Sequence, residues 1–400
     1  VKDVDLLIIG SGPAGCSTAL HLARLDPALA RRTVVLEKAE HPRHKLCGGG
    51  LVPDVDTILA NLGLDVREVA QVDAAWARLY FHGRGLRLQL RDIAFHVVRR
   101  CEFDAWLAAR VRDCGVLLQT NTPVTSLRRV DGGYLVETSR DTYRARVVVG
   151  ADGTKGTTRR AITADHGAIA RVVEVIIPPP RSPAPEPLPP DDEALFEFRN
   201  VAAGVQGYFW SFPMLVEGQR MRNLGVYDSR NVGTAPLAGA LTGFLADELA
   251  RHGVRLADCK VLGHPIHQFS ARSVLSAPHL ILAGDSAGAD PLLGEGISLA
   301  LGYGELAARA ASDAFQRGDL EFANYTRDVH RSAMGRALRF RCHASSVIYR
   351  LRHPSLQRLV WWYLRPIVRR FIHGVLFNWA RPTALQPAPT RSALAADAVA

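Results

Sequence analysis

The absences in this chain narrow it more than its bulk composition does. Its six cysteines (Cys16, Cys47, Cys101, Cys114, Cys259 and Cys342) form no CxxC pair and no disulfide-framework spacing, which excludes a stapled secreted scaffold and fits a reducing cytoplasm. Its 14 histidines show no HExxH or comparable ligand spacing, so no metal site is expected. The amino terminus runs straight into a strand pattern, leaving no room for a signal peptide. No internal repeat is present. The longest greasy stretch, Leu359–Trp379, could reach across a bilayer, but Arg365, Arg369, Arg370 and His373 at its centre argue against spanning. Acidic residues are missing between Asp328 and Asp397, where twelve arginines fall, so the net charge of +10 belongs to that segment and the rest is close to neutral. A neutral body and no recognised basic motif argue against nucleic acid as a partner.

Two glycine-rich segments at opposite ends of the chain supply the positive signal. Asp5–Ile9 reads as a buried strand feeding Gly10-x-Gly12-x-x-Gly15, with Pro13 and Ala14 opening a helix to Leu25 and Thr33–Leu36 forming the next parallel strand. Gly10 permits the tight turn, Gly12 lets backbone approach a pyrophosphate, and Gly15 lets helix and strand pack closely. The helix start supplies free N–H groups and partial positive charge for phosphate. Glu37 closes the second strand, where a carboxylate binds the ribose hydroxyl pair. Late in the chain, Gly284-Asp285-Ser286-Ala287-Gly288, Pro291 and Gly294-Glu295-Gly296-Ile297 look like the segment closing over the far end of the same long cofactor. Together they imply FAD.

Because these segments flank a strand-rich middle, the cofactor domain must be discontinuous. The expected α/β fold has a Rossmann-like FAD-binding domain from residues 1–70, 99–165 and 265–320. An antiparallel-sheet substrate domain takes 71–98 and 166–264, with a hairpin turning at Gly83-Arg84-Gly85. A helical C-terminal region covers 321–380, broken at Pro354 and Pro366, and 381–400 is a mobile tail. The proline stretch Pro178–Pro190 reads as an exposed loop.

The order of further motifs resembles the p-hydroxybenzoate-hydroxylase-like branch of flavoproteins. Arg100-x-x-Phe103-Asp104 resembles that branch's R-x-x-F-D helix start, and Gly150-Ala151-Asp152-Gly153 its Asp-Gly motif. The resemblance implies that Arg100 lies near the phosphate and ribityl portion and that Asp285 faces the ribityl and ribose hydroxyls. Gly294, Gly296 and Ile297 would start a helix whose positive end favours charge at N1 of reduced flavin. Within the branch the chain is similar to the geranylgeranyl reductase family through Pro42-Arg43-His44-Lys45-Leu46-Cys47-Gly48-Gly49-Gly50-Leu51 and Gly207-Tyr208-Phe209-Trp210-Ser211-Phe212-Pro213. It departs from the family in the Pro178–Pro190 insertion, which leaves the substrate entrance open, and in Gly156, where serine is usual.

This resemblance places the Cys47-Gly48-Gly49 turn against the isoalloxazine, with Cys47 as proton donor or substrate-positioning group. Tyr208 and Trp210, two apart on one strand, should face the same side and wall the pocket. Lys38, Lys45, Val124, Asp152, Gly153 and Gly284 complete the expected cofactor set, Lys45 reaching a phosphate, the pocket entrance or solvent.

The implied activity is reduction of C=C bonds in a polyprenyl chain carried on a lipid, quinone or diphosphate. No second GxGxxG follows another strand, so the donor is either transiently docked NAD(P)H or a partner such as ferredoxin. Val360, Leu364, Ile367, Phe371 and Val375 recur at helical spacing, with Trp361, Trp362 and Trp379 suited to headgroup level. They imply a helix on an anionic membrane surface and a protein peripheral to the inner face. The rivals are a monooxygenase or halogenase of the same fold acting on a hydrophobic or aromatic substrate, and a non-catalytic prenyl carrier. A halogenase needs W-x-W-x-I-P and a buried catalytic lysine, and none of Lys2, Lys38, Lys45, Lys155 and Lys260 sits on a convincing strand.

Overall fold

A computed structural model describes residues 1–162, 167–179, 184–233, 240–373 and 377–382. Val375 of the C-terminal stripe and the tail beyond residue 382 lie outside them. The first sheet has a parallel core in the order Leu117–Gln119, Thr33–Leu36, Lys2–Ile9, Thr142–Gly150 and Leu280–Leu282. Segments from the start, middle and end of the chain are therefore hydrogen-bonded neighbours. Leu6–Ile8 and Val147–Val149 are fully buried, as strands covered on both faces must be. The hairpin Val124–Val130/Gly133–Thr138 and the short strand Ser276–Ala277 add antiparallel edges.

Helix Pro13–Leu25 packs on helix Ile297–Arg317, and small residues make the approach possible. A Cβ on Gly304 would lie 2.5 Å from Ser17 Cβ and 2.7 Å from Ala14 O. The Ser17 hydroxyl donates to Leu301 O at 2.6 Å across the same contact.

The second sheet runs Leu262–His267, Ile169–Ile177, Gln219–Asp228, Gly207–Val216, Glu193–Glu197, Trp76–Phe81, Arg84–Leu88. Its pairs are antiparallel except Glu193–Glu197 against Trp76–Phe81, which is parallel. Those two strands come from separate segments with no hairpin joining them, so nothing imposes the antiparallel direction. The hairpin turns one residue earlier than expected, at His82 and Gly83, both at positive φ as a two-residue turn demands. Gln71–Ala74 and Phe95–Val98 leave this sheet and pair in a small third one with Gly50–Leu51.

Side-chain alternation gives the second sheet two faces. Phe209, Leu224, Val226, Val175 and Leu195 pack beneath helix Ala240–Arg251 through Leu241, Leu245 and Leu249. Phe196, Tyr208, Trp210, Phe212 and Tyr227 form the opposite face, toward the first sheet. The described part of the proline insertion belongs to the Ala240–Arg251 side, where Leu188 packs with that cluster. Buried Arg222 fastens it by donating to Pro189 O, Pro190 O and Glu193 O. Leu188, Pro189 and Pro190 thus lie away from the face that Tyr208 and Trp210 present.

The C-terminal region is helical but not one amphipathic rod. Pro354 and Pro366 sit in the first turns of helices Pro354–Arg358 and Arg365–Phe371, and a π-helical turn, Leu359–Tyr363, separates them. Trp361 is only 6% exposed and stacks on Phe198 with centroids 4.3 Å apart; Trp362 donates its indole N–H to Phe81 O at 2.9 Å. Trp379 lies over Gly302, and the Asn378 and Ala380 amides donate to buried Asp54. The tryptophans expected at headgroup level are thus spent on the protein body, while Ile367 of the apolar stripe stays exposed. Among the described residues no helix is long and apolar enough to cross a membrane.

Arg222→Ala strips three carbonyls of a buried charged donor and should lower unfolding free energy by about 2–4 kcal/mol, read as a reduced denaturant midpoint.

Candidate functional site

A cavity of about 740 Å³ opens between the carboxyl ends of the parallel strands and the aromatic face of the second sheet. At its first end the three motif glycines divide their tasks. A Cβ on Gly10, at φ +103°, would lie 2.3 Å from Ala151 O, and one on Gly15 would lie 1.9 Å from Gly10 O. Gly10 and Gly15 are therefore demanded by the protein's own packing, and Gly15 does not reach the cavity. Gly12 does line it, with only Arg43 near its missing side chain at 3.6 Å, so its bareness serves a ligand. Helix Pro13–Leu25 has no side-chain cap, so its terminal N–H groups face that opening.

Glu37 is buried and accepts from Ser11 N at 3.1 Å and Ala39 N at 3.2 Å. Burial pushes its carboxyl up, but Arg43 at 3.3 Å and these donors outweigh that and hold it below the ordinary range. Arg43 also reaches fully buried Asp104 at 3.2 Å, and Asp104 clamps Arg100 with bonds of 2.8 and 3.0 Å. Arg43 and Asp104 were quoted in the sequence motifs but given no role; the D of R-x-x-F-D was the signal for both. Lys38 and Val124 line the same end.

Asp152 is turned into its own loop. It accepts from Thr157 N at 2.6 Å, Thr158 N at 3.0 Å and the Ser286 hydroxyl at 3.0 Å, tying the Asp-Gly turn to the late glycine-rich segment. A Cβ on Gly156 would lie 2.0 Å from Asp152 Cγ, which explains glycine where the resembled family carries serine. Gly153, Gly284 and Asp285 face the cavity.

The loop 290–296 is held by its carbonyls. Asp290 O, Pro291 O, Leu292 O and Leu293 O accept from Tyr227, Ser229, Tyr349 and Tyr208 in turn. With the carbonyls of residues 290–293 drawn away, Gly294, Glu295, Gly296 and Ile297 present the start of helix Ile297–Arg317 to the cavity. The Glu295 N–H turns to the Asp290 carboxylate, whereas among the described residues those of Gly296 and Ile297 are given no acceptor in the chain. Arg341, 1% exposed, braces the loop from helix Ala333–Ile348, lying 3.4 Å from Asp290 and 3.5 Å from Glu295. Tyr208 thus shows its ring to the cavity while its hydroxyl is committed to Leu293. Arg341 and Tyr349 could not be found from motifs, since both come from a region expected only to be helical.

At the other end the Cys47-Gly48-Gly49 turn meets the aromatic face. A Cβ on Gly48 would lie 3.0 Å from Phe212 and 3.4 Å from Trp210 Nε1; one on Gly49 would lie 2.1 Å from Val98 O. Burial raises the Cys47 thiol above its ordinary range, against the pull of Arg100, so it is protonated at neutral pH. Lys45 Nζ lies 2.8 Å from His264 Nε2, bridging the two sheets at the cavity wall. Burial and the Lys45 charge drive His264 down to about 4, which leaves the imidazole neutral as an acceptor. Phe95, Phe196, Phe212 and Phe377 complete the apolar wall.

These features fit a flavin dinucleotide: an uncapped helix start beside bare Gly12, a buried carboxylate at the strand end, and a second set of open amides. Residues 3–196 match the FAD binding domain family. The chain is an FAD-binding oxidoreductase. It is similar to digeranylgeranylglycerophospholipid reductase 3 of Methanosphaera stadtmanae, 26% identical over 353 residues, 81% of this chain and 83% of that one. Its fold resembles a geranylgeranyl bacteriochlorophyll reductase-like protein of Thermoplasma acidophilum (TM-score 0.71, 22% identity, 90% of this chain and 91% of that one). A flavin-dependent halogenase shares the fold too (TM-score 0.67, 20% identity, 99% of this chain and 78% of that one).

Arg341→Met leaves Asp290 and Glu295 without their buried cation. FAD affinity should fall at least tenfold in equilibrium titration, about 1.4 kcal/mol, although Arg341 is not expected to touch the cofactor.

Proposed function

We propose that this oxidoreductase saturates C=C bonds in a polyprenyl chain. One observation carries the reading: the dinucleotide cavity continues past the Cys47 turn into a slot walled by Phe95, Phe196, Phe212 and Trp210. The carboxylates on the cavity wall, Glu37, Asp152, Asp285 and Glu295, belong to the cofactor motifs. The four aromatic rings that wall the slot suit an isoprenoid chain, which gains from burial there at about 25 cal/mol per Å². When bound along Gly12, Glu37, Asp285 and Gly296, FAD in its reduced form would supply hydride chemistry toward one carbon of an alkene. The chain's own residues exclude water, align the alkene and protonate the second carbon. Cys47 is the proton donor; Arg100 stabilises the resulting thiolate until solvent returns the proton.

Electrons come from NAD(P)H docking transiently at the cavity or from ferredoxin, and the two differ in whether the purified enzyme is reduced by nicotinamide alone. A monooxygenase or halogenase reading requires dioxygen. Anaerobic reduction followed by a geranylgeranyl lipid should reoxidise the flavin and add two hydrogens per bond; a product formed only with oxygen would overturn the reductase. Cys47→Ala should keep FAD and slow this reoxidation at least tenfold.

The lipid substrate is met at the inner membrane face. Tyr363 (71% exposed) and Ile367 (65%) project beside Arg365, Arg369 and Arg370, giving an apolar and cationic patch for anionic headgroups. Tyr363→Asp with Ile367→Asp should reduce cosedimentation with phosphatidylglycerol vesicles at least tenfold while leaving FAD bound. Equal sedimentation would remove this patch from membrane docking.

A further inference from the structure

A buried carboxyl on the second sheet, absent from every motif, lies behind the Cys47 turn. Glu174 is 2% exposed on strand Ile169–Ile177, with no ion-pair partner among the described residues. The amide of fully buried Asn223 links it to the turn: Nδ2 lies 3.3 Å from Glu174 Oε2 and 3.2 Å from Cys47 O, while Oδ1 accepts from Trp210 Nε1 at 2.8 Å. Glu174, Asn223 and Trp210 occupy the same face of three adjacent strands, at positions set by the register Trp210↔Gly225 and Glu174↔Gly225. The indole lies against Gly225, where a Cβ would be 2.3 Å from its ring. The carboxyl, the amide and the indole therefore form one unit behind the cysteine.

We propose that Glu174, acting through Asn223, positions the Cys47 turn and counterweights Arg100 so that the cysteine keeps its proton. This rests on the reading of Cys47 as the proton donor. The charged and titratable groups facing the thiol are Arg100 from helix Arg100–Asp113, Glu174 and Tyr208 from the second sheet, and Lys45 from its own turn. Arg100 favours thiolate, which would disarm a proton donor, and Glu174 opposes it.

Burial holds the Glu174 carboxyl up at about 7, with Asn223 and the Cys47 amide pulling the other way. The sign of the coupling follows. As pH rises through about 7 the carboxyl ionises, and its new negative charge makes loss of the neighbouring thiol proton harder. The restraint on Cys47 therefore strengthens over the range in which an unrestrained thiol would begin to ionise.

The test is a pH titration of the holoenzyme labelled with [13Cβ]cysteine, the Cys47 resonance being assigned by its loss in Cys47→Ser. Glu174→Gln keeps the shape and the hydrogen bond but cannot ionise, so the Cys47 titration midpoint should fall by one unit or more, a tenfold change. Glu174→Asp should restore much of it. The alkaline limb of flavin reoxidation by substrate should move down in Glu174→Gln by a similar interval. Superimposable Cys47 titrations in wild type and a Glu174→Gln protein of full FAD content would overturn the proposal. Because that readout uses no substrate, it fails or succeeds independently of the polyprenyl reading.

Discussion

The approach of helix Pro13–Leu25 to helix Ile297–Arg317, allowed by Gly304 and sealed by the Ser17–Leu301 hydrogen bond, is the contact on which the cavity depends. It sets the uncapped start of the first helix and the open amides of the second facing one space from opposite ends. A methyl group at Gly304 would lie 2.5 Å from Ser17 Cβ and 2.7 Å from Ala14 O, so the helices could not approach as they do. The Asp152–Ser286 bond fastens the loops between them.

Around that frame the protein buries charge in closed sets. Asp104 holds Arg43 and Arg100; Asp290 and Glu295 share Arg341; Glu37 takes Arg43 and two backbone amides. Isolated, each ion would be costly to bury, whereas grouped they fix side chains whose free edges point at the cavity. Lys45 is the contrast, a buried cation hydrogen-bonded to a neutral imidazole and offset by the charge of Asp285, and Glu174 a carboxyl bonded to amides. Both lie at the reacting end, where the environment shifts protonation instead of neutralising charge.

Much of the cofactor end was legible because its motifs are local. Strand, glycine turn and helix are decided within a few residues by sterics, and helix Pro13–Leu25 and strand Thr33–Leu36 form where periodicity places them. Gly12 was legible in the same way; Gly156 was not, because its reason is a carboxylate folded back from Asp152. The C-terminal tryptophans differ from expectation because helical spacing does not say what packs against each face: Trp361 stacks on Phe198 while Ile367 of the stripe stays exposed. That Tyr208 and Trp210 share one side of their strand was expected from alternation, yet the parallel pairing of Trp76–Phe81 with Glu193–Glu197 involves strands far apart in the chain.

The residue order alone determined that this protein binds a flavin dinucleotide on a discontinuous α/β domain, since glycine positions and buried strands encode a backbone shape without help from distant parts. Only the folded chain decided which polar groups stand behind that shape. Arg341, Tyr349, Asn223 and Glu174 act on the cavity from other elements, and the distances that give them roles arise when those elements meet. Hydrogen bonds and charge coupling fall off within a few ångströms, so they are properties of the packing and leave no mark in sequence spacing.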